Sequence, residues 1–346
     1  MPTFYPEALE TFVRQTYKAL GASTDDAALI ADSLVKADLW GHPSHGVMRT
    51  FWYAKRIQSG AIKLNRAPQI TSQLGGLIAL DGQDGMGQLV AQRAVDLAAE
   101  AAKTHGIAAV SVANSGHFGT AMYFTRQLAK RGMIGFLSTN ASPAMAPWGG
   151  MEKRLGNNPW SWAAPAGRHP AMVLDIANTA VARGKLYVAK QEGRAIPAGW
   201  AIDSQGRATL DASAGIDGTI LPMAGHKGYG ITALMDVLSG VLSGSGFARQ
   251  VIGPYVPDGR SGVGHLVIAI NIAALRPVEA FEADMEALIE DLKSCPRQPG
   301  VEEIFYPGEL EARSEQRLVR EGINLPEKTV EDFILSARKL GISHPF

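Results

Sequence analysis

Residues 77–119, LIALDGQDGMGQLVAQRAVDLAAEAAKTHGIAAVSVANSGHFG, decide the fold class. The short apolar run LIALD leads through a turn into a long stretch with helical spacing, and a second apolar run, IAAVSVA, follows. An apolar run, a helix and another apolar run in succession indicate a sheet layered with helices. The alternation continues in GMIGFLST, AMVLDIA and HLVIAINI. We therefore predict an α/β domain over residues 76–295.

The chain before and after this block has helical character. Apolar spacing predicts helices over PEALETFVRQTYKAL and DDAALIADSLVKADLW, and Pro43 ends the second of them. A third helix is predicted through VMRTFWYAKRIQSG, which places Ser44 and His45 at its N-terminal edge. We predict that residues 1–75 form a helical N-terminal domain and that the C-terminal segment 296–346 packs back on it.

Composition excludes several classes of protein. Lys plus Arg and Asp plus Glu number 33 each, so no net field attracts nucleic acid or an anionic membrane. A single cysteine, Cys295, rules out an intrachain disulfide. The most apolar run, ITALMDVLSGVLSG, contains Asp236 and is shorter than the roughly 20 apolar residues of a membrane span. The N-terminus does not read as a secretory signal. We expect a cytoplasmic, enzyme-like globule.

The turn DGMGQLVAQRAV is a candidate dinucleotide fingerprint. Gly85 and Gly87 occupy the first two glycine positions, but Val90 stands where the third glycine allows close packing of helix and strand. The motif is therefore incomplete. We interpret it as a glycine-rich turn before an amphipathic helix.

Two other glycine-rich helix starts are candidates for holding an anion. In NSGHFGTAM, Gly116 and Gly119 flank His117 directly after an apolar run, and backbone N–H groups in such a turn can bind phosphate. In MAGHKGYG, Lys227 adds its charge to a helix N-terminus. Together they indicate an anionic ligand such as a nucleotide.

Residues 41–50, GHPSHGVMRT, carry the candidate chemistry. If the third helix includes His45, then Arg49 lies four residues on and shares its face. Arginine grips a carboxylate bidentately, and histidine exchanges a proton near neutral pH. These two groups fit a 2-oxo or 2-hydroxy acid, whose carboxylate and reacting oxygen are on adjacent carbons. The alternative is an ordinary solvated helix start.

Other readings of the same stretch have less support. Ser44 and His45 are adjacent, and adjacent side chains on a helix do not face each other, so we discount a Ser–His hydrolase. No GxSxG elbow is present either. A role for Ser44 in positioning substrate or His45 stays open. His42 is expected to be a loop or cap residue, and the loose spacing of His42, His45 and His117 predicts no metal site.

Seven segments in order resemble the malate/L-lactate dehydrogenase family of the non-Rossmann type: GHPSHGVMR, NSGHFGTA, GGMEKRLGNNP, LDIANTAVARGK, IPAGWAID, LPMAGHKGYG with LSGVLSG, and FYPGE. That family also includes sulfolactate, ureidoglycolate and diketogulonate oxidoreductases and the piperideine- and pyrroline-carboxylate reductases. The resemblance implies an NAD- or NADP-dependent oxidoreductase with a mixed-sheet cofactor domain distinct from the Rossmann fold. It also implies a homodimer with sites near the subunit interface.

The resemblance assigns roles to residues. His45 would be the proton donor, Ser44 its relay partner, and His117 an acid/base in some members. Substrate contacts would come from Arg49, which anchors the carboxylate, and from Asn157 and Arg183. The cofactor would contact His117, Phe118, Gly119, Thr120, Ala121, Ser142, Asp175, Ile176, Ala177 and Lys227, and the segment Tyr306, Pro307, Gly308 and Glu309 would close over it.

Departures from the family pattern leave the substrate open. The usual LGTNP is LGNNP here, so Asn157 replaces a threonine, and the usual DMATS is DIANT, which changes Asn178 and Thr179. Both changes keep hydrogen-bonding capacity but alter size. The alternatives are a reductase of cyclic or N-alkyl 2-imino acids, a metal-dependent dehydrogenase and a non-catalytic nucleotide-binding protein. The choice between NAD and NADP is also open, with Arg126 a candidate partner for a 2′-phosphate.

Overall fold

The computed structural model describes residues 1–346. Its helices are α1 (Pro6–Ala19), α2 (Thr24–Leu39), α3 (Thr50–Gln58), α4 (Gly87–His105), α5 (Met122–Ala129), α6 (Arg183–Gln191), α7 (Ala212–Asp217), α8 (His226–Asp236), α9 (Val278–Ser294), α10 (Glu309–Glu321) and α11 (Glu327–Leu340). Its strands are β1 (Thr3–Phe4), β2 (Gln69–Leu74), β3 (Leu77–Asp81), β4 (Ile107–Ser115), β5 (Met133–Thr139), β6 (Trp160–Ala164), β7 (Met172–Ile176), β8 (Ala201–Ile202), β9 (Ala208–Thr209), β10 (Thr219–Ile220), β11 (Val263–Asn271) and β12 (Ile323–Asn324).

The central layer is a seven-stranded mixed sheet with the order β2-β3-β4-β11-β5-β6-β7. Only β3 and β4 pair in parallel, joined through α4, and all other neighbours are antiparallel. A Rossmann sheet is mostly parallel, so this topology confirms a non-Rossmann α/β fold. The five apolar runs noted in the sequence all form strands of this sheet.

The sheet packs on one side against α4 and α5. Alanine and valine side chains of α4, among them Ala94, Val95 and Ala98, are fully buried against Val110 and Val267 of the central strands. Because most of these side chains are small, α4 lies close to the sheet. A second, smaller sheet of β8, β9 and β10 packs with α6 and α7 around its own core.

The N-terminal helices and the C-terminal tail share one core. Phe333 of α11 lies 4.9 Å from Phe12 of α1 and 5.0 Å from Phe51 of α3, measured between ring centroids. The terminal residue, Phe346, packs on Phe12 and Phe333 as well. Strand β12 pairs with β1. The helical N-terminal part is therefore completed by the C-terminal tail, as expected.

Three elements differ from the sequence-based expectation. The third helix begins at Thr50, after two 3₁₀ turns, and does not include Val47. The helix predicted from His226 onwards ends its α-helical part at Asp236 and continues as one π turn. Helix α10 begins at Glu309, the last residue of FYPGE, where proline and glycine indicate only a loop. No helix combines the length and apolarity that a bilayer crossing requires.

The glycines of the incomplete fingerprint have a packing role. A Cβ on Gly87 would lie 2.4 Å from the carbonyl oxygen of His117 and 2.5 Å from that of Gly116. Only glycine therefore lets the start of α4 approach this loop. This close approach accounts for Gly87 without a nucleotide phosphate.

Phe333 tests the joint core. Replacing Phe333, which is fully buried, with alanine should lower the free energy of unfolding by about 3–5 kcal/mol, since an aromatic ring leaves a cavity. Urea denaturation measures the loss. Leu335→Ala on the same helix, at a side chain 51% exposed, should change stability by at most about 0.5 kcal/mol. Equal losses in the two variants would contradict the packing described.

Candidate active site

Residues 41–50 fold as two 3₁₀ turns, Pro43–His45 and Val47–Arg49, separated by Gly46. The Asp38 carboxylate accepts a 2.7 Å hydrogen bond from the backbone N–H of Val47. A Cβ on Gly46 would lie 2.2 Å from the same carboxylate, so glycine is required there. His45 and Arg49 therefore do not share a continuous helix face, and the expected helical geometry was wrong. The turn brings them together nevertheless.

Ser44 and His45 contact each other directly. Ser44 Oγ lies 2.9 Å from His45 Nδ1. The argument that adjacent side chains face apart was wrong here, because it holds for an α-helix and these residues form a 3₁₀ turn. Burial, followed by the positive charges of Arg49 and His42, lowers the pKa of His45 to about 3. The imidazole is therefore neutral near pH 7, and its Nε2 forms no hydrogen bond within the chain.

His117 lies beside His45, with the rings stacked at 5.5 Å and 22°. Its Nδ1 accepts a hydrogen bond from the Gly119 N–H at 3.2 Å, and the hydroxyl of Tyr53 reaches the same atom. Burial, with the charge of Arg49 next, holds the pKa of His117 well below its usual value. A neutral ring whose Nδ1 accepts must carry its proton on Nε2. His117 therefore presents an N–H donor.

Ser44, His45, Arg49 and His117 form a cluster, and Arg49 is its charged group. Its guanidinium lies 4.0 Å above the ring of Trp52, and its Nε donates to the carbonyl oxygen of Ser44. Burial lowers its pKa, and no carboxylate of the chain pairs with it. The terminal nitrogens Nη1 and Nη2 are thus available for an external carboxylate, in the planar geometry that arginine favours.

A buried histidine joins the strand ends behind the cluster. His265 Nε2 lies 2.7 Å from Ser115 Oγ at the end of β4, and its Nδ1 lies 2.8 Å from Thr139 Oγ1 at the end of β5. Burial lowers the pKa of His265 to about 3. Phe118 packs against this ring, edge to face at 4.8 Å. His265 thereby fixes the loops that carry His117 and Ser142.

Asp175 connects the loop of His117 to strand β7. Its carboxylate accepts a 2.8 Å hydrogen bond from the Met122 N–H at the start of α5, and burial raises its pKa to about 6. Ile176 and Ala177 directly follow Asp175 in the chain.

In the loop that carries His117, the hydroxyl of Thr120 is buried and has no hydrogen-bond partner. Ala121 is buried and Gly119 has a φ of 91°.

The segment from Tyr306 to Glu309 lies along β7. The carbonyl oxygen of Pro307 accepts a 2.9 Å hydrogen bond from the Val173 N–H, and Gly308 packs on the same residue. The Glu309 carboxylate is committed to ion pairs with Lys293 and Arg313, so it stabilises the segment. Any cofactor contact from this segment therefore falls to Tyr306, Pro307 or Gly308.

Ser142 and Asn157 lie on neighbouring loops. Ser142 Oγ is 3.4 Å from the hydroxyl of Tyr255. The carbonyl oxygen of Asn157 accepts from the backbone N–H of Asn178 at 3.0 Å, and the buried amide of Asn178 donates to the carbonyl oxygen of Asn158 at 2.7 Å. Asn178 is thus a clamp on the loop that carries Asn157.

Three predicted residues lie outside these contacts. Lys227, in the first turn of α8, is exposed and forms no ion pair, and Arg183 stacks at 5.7 Å over Tyr187. Arg126 lies 4.9 Å above the ring of Trp40, and its buried Nη1 has no hydrogen-bond partner. It lines a cavity of about 650 Å³ between α5 and α10. No direct contact joins any of the three to the His45–His117 pair.

Sequence reasoning missed five residues that shape the site: Asp38, Trp52, Tyr53, Tyr255 and His265. Trp52 and Tyr53 follow Arg49 by three and four residues on a predicted helix, which was an available signal. Asp38 acts on Val47, nine residues further on, through a turn that no helical spacing predicts, and Tyr255 and His265 act across distant parts of the chain. No three His, Cys, Asp or Glu side chains converge as a metal site would require.

Asp38 provides a test of the turn geometry. Burial raises its pKa from 3.8 to about 8, so the folded state binds its proton more tightly than the unfolded chain. Stability from this group is complete below about pH 4 and is lost as the pH rises towards 8. Asp38→Asn, which can still accept from Val47, should remove that loss. Urea denaturation across this range should show the free energy of unfolding of the variant increasing relative to that of the parent protein as the pH rises.

Asp291→Asn, at an exposed position, is the control, and its free energy of unfolding should have the same pH dependence as that of the parent protein. A constant difference between Asp38→Asn and the parent protein would rule out a buried, protonated Asp38.

Comparison with known proteins identifies the family. The model of the malate/L-lactate dehydrogenase family matches residues 4–333. The chain is 37% identical to a malate dehydrogenase of Pyrococcus abyssi, covering 97% of this chain and 94% of that protein. It is 33% identical to ureidoglycolate dehydrogenase (NAD(+)) of Escherichia coli, covering 96% and 95%. The solved structure of sulfolactate dehydrogenase from Methanocaldococcus jannaschii matches with a TM-score of 0.95, at 33% identity and 99% and 98% coverage. The chain is therefore an oxidoreductase and belongs to the malate/L-lactate dehydrogenase family.

Proposed function

We propose that this enzyme transfers hydride between a nicotinamide cofactor and a small 2-hydroxy or 2-oxo acid. The observation that carries the proposal is the Arg49 guanidinium, which has no carboxylate partner in the chain and lies beside the neutral His45. Malate, sulfolactate and ureidoglycolate, after which the relatives are named, share a hydroxyl group on the carbon next to a carboxylate. Arg49, which can bind the carboxylate, lies beside His45, which can carry the proton of the hydroxyl group, so the two residues match that arrangement.

Each residue of the cluster has a distinct task in this proposal. Arg49 Nη1 and Nη2 bind the substrate carboxylate and so fix the orientation of the adjacent carbon. His45 Nε2 gives a proton to the carbonyl oxygen during reduction and takes the hydroxyl proton during oxidation. Ser44 holds His45 through Nδ1 and relays the proton. His117, with its proton on Nε2, donates a hydrogen bond to the same oxygen.

Substrate binding changes the charge balance at His45. Without substrate, burial and then the positive charge of Arg49 lower the pKa of His45. A bound carboxylate neutralises that charge, so the pKa of His45 rises when a 2-oxo acid is present. The proton donor is therefore protonated more readily when its substrate is in place.

The residues around the cluster suit a nicotinamide dinucleotide, which supplies or accepts the hydride when it is bound. The buried hydroxyl of Thr120 has no partner in the chain and needs one, as a bound ligand group would provide. The residues that would hold this cofactor are His117 to Ala121, Ser142, Asp175 to Ala177, Lys227 and Tyr306 to Gly308. The printed name of one relative, ureidoglycolate dehydrogenase (NAD(+)), specifies NAD, so we propose NAD as the first candidate cofactor. NADP is the second candidate, with Arg126 as the partner of its 2′-phosphate. A homodimeric state and a cytoplasmic location stay predictions.

A substrate panel tests the proposal. Purified protein is assayed for oxidation of NADH and of NADPH with pyruvate, oxaloacetate and glyoxylate, each with and without methylamine. Turnover with the acid alone supports the proposal and identifies the cofactor. Turnover only with amine would contradict it and establish an imine reductase. No turnover with any member would also overturn the assignment to small 2-oxo acids.

Variants at His45 and Arg49 should separate chemistry from binding. His45→Gln should lower kcat by about 10²- to 10⁴-fold with little change in KM, because it removes the proton carrier. Arg49→Ala should raise KM by roughly 10- to 100-fold, since a charge-assisted contact of about 1.5–3 kcal/mol is lost. Steady-state kinetics measures both. Near-normal values in either variant would contradict its assignment, and His105→Gln, at an exposed position, is the control.

A further inference from the structure

Two histidine rings lie side by side in the active site, and their Nδ1 atoms have different partners. Nδ1 of His45 lies 2.9 Å from the hydroxyl of Ser44. Nδ1 of His117 lies 2.5 Å from the hydroxyl of Tyr53, which belongs to α3. Neither ring forms an ion pair with a carboxylate, and the one histidine that does is His42. Because the partner of one ring nitrogen decides what the other can do, the two histidines differ in their chemistry.

The hydrogen bond between Tyr53 and His117 has only one possible direction. Nδ1 of His117 also lies 3.2 Å from the backbone N–H of Gly119, which can only donate. Nδ1 therefore carries no proton, and the hydroxyl of Tyr53 is the donor. Burial holds the pKa of His117 well below its usual value, so the ring is neutral and its single proton is on Nε2.

No other group in this part of the core takes the proton of the Tyr53 hydroxyl. Tyr17 and Gln88 lie near Tyr53, but their buried polar atoms form no hydrogen bond within the chain. Nδ1 of His117 is thus the sole direct partner of this hydroxyl. Tyr53 is 1% exposed, and burial raises its pKa, so the hydroxyl stays protonated. Its proton remains on the bond to His117.

We propose that Tyr53 is a positioning residue that commits His117 to donating a hydrogen bond and leaves proton transfer to His45. This inference rests on the proposed function and gives its two histidines separate tasks. A hydroxyl that donates to Nδ1 draws electron density from the ring, so the N–H at Nε2 becomes a stronger donor to a negatively charged oxygen. A carboxylate in the place of Tyr53 would accept from Nδ1 and make Nε2 a base.

Ser44 leaves His45 free to carry a proton. A serine hydroxyl both donates and accepts, and no backbone N–H competes for Nδ1 of His45. Nε2 of His45 can therefore take up and release a proton while Ser44 turns to match. As hydride reaches C2 during reduction, the C2 oxygen becomes negatively charged. It receives its proton from His45 and a hydrogen bond from His117, which keeps its own proton.

Nitrogen NMR measures the tautomer directly in protein labelled with ¹⁵N-histidine, with His117 assigned by comparison with His117→Gln. The parent protein should show a protonated Nε2 and an unprotonated Nδ1. Tyr53→Phe, which keeps the ring and removes the hydroxyl, should shift the Nδ1 resonance towards that of a nitrogen without a hydrogen bond. Tyr123→Phe is the matched control, because its hydroxyl donates to Asp32 at 2.6 Å, and it should leave both resonances unchanged. A proton on Nδ1 of the parent protein, or an unshifted Nδ1 in Tyr53→Phe, would overturn the inference.

Steady-state kinetics tests whether Tyr53 acts through His117. Tyr53→Phe should lower kcat about tenfold with little change in KM, since the stronger donor matters most when the substrate oxygen is charged. In the His117→Gln background, the same substitution should lower kcat less than twofold. A purely structural role for Tyr53 would give the same loss in both backgrounds. Tyr123→Phe should leave kcat and KM unchanged.

The two measurements separate this inference from the proposed function. If the parent protein reduces no 2-oxo acid of the panel, the proposed function fails, and the NMR result alone decides whether Tyr53 fixes the tautomer of His117. If the parent protein is active and Tyr53→Phe keeps its kcat, the inference is overturned while the proposed function stands. An equal loss in the parent and His117→Gln backgrounds has the same consequence.

Discussion

The structure depends on an uncompensated positive charge held beside a neutral imidazole. Arg49 is half-buried without a carboxylate partner, which costs free energy in the absence of ligand. The aromatic face of Trp52 and the carbonyl oxygen of Ser44 offset part of that cost. An incoming carboxylate offsets the rest. Burial, with this charge as the second cause, keeps His45 deprotonated, so the Arg49 charge contributes both to recognition and to the state of the proton carrier.

The fold supports this arrangement from two sides. The N-terminal core positions the 3₁₀ turns through the buried Asp38, and the mixed sheet positions His117 through its central strands. His265 ties the ends of β4 and β5 together, where the His117 loop and the Ser142 loop begin. The site therefore lies where the helical part and the sheet meet. Each half contributes groups that the other lacks.

Local patterns predicted the parts of the fold that depend on local physics. The five apolar runs became strands, and α1 and α2 formed where their spacing indicated. Strand β6 was missed because in WSWAA small residues such as Ser161 and Ala163 are the buried ones, so the sequence shows no apolar stripe. The contact of Ser44 with His45 was missed because Gly46 and Asp38 impose a 3₁₀ turn in place of a helix. Tyr255 was beyond prediction, since only tertiary packing brings it to Trp52.

The pH dependence of the reaction in both directions tests the central claim most directly. Reduction consumes one proton, so the kcat/KM profiles for oxidation and reduction must differ by one power of proton concentration. Because the pKa of His45 is about 3, its imidazole is neutral throughout the range from pH 5 to 9, and we predict that kcat/KM for oxidation is constant over this range. The reduction profile should fall tenfold per pH unit over that range. An oxidation profile that breaks near pH 6.5 and loses this break in His45→Gln would contradict the claim.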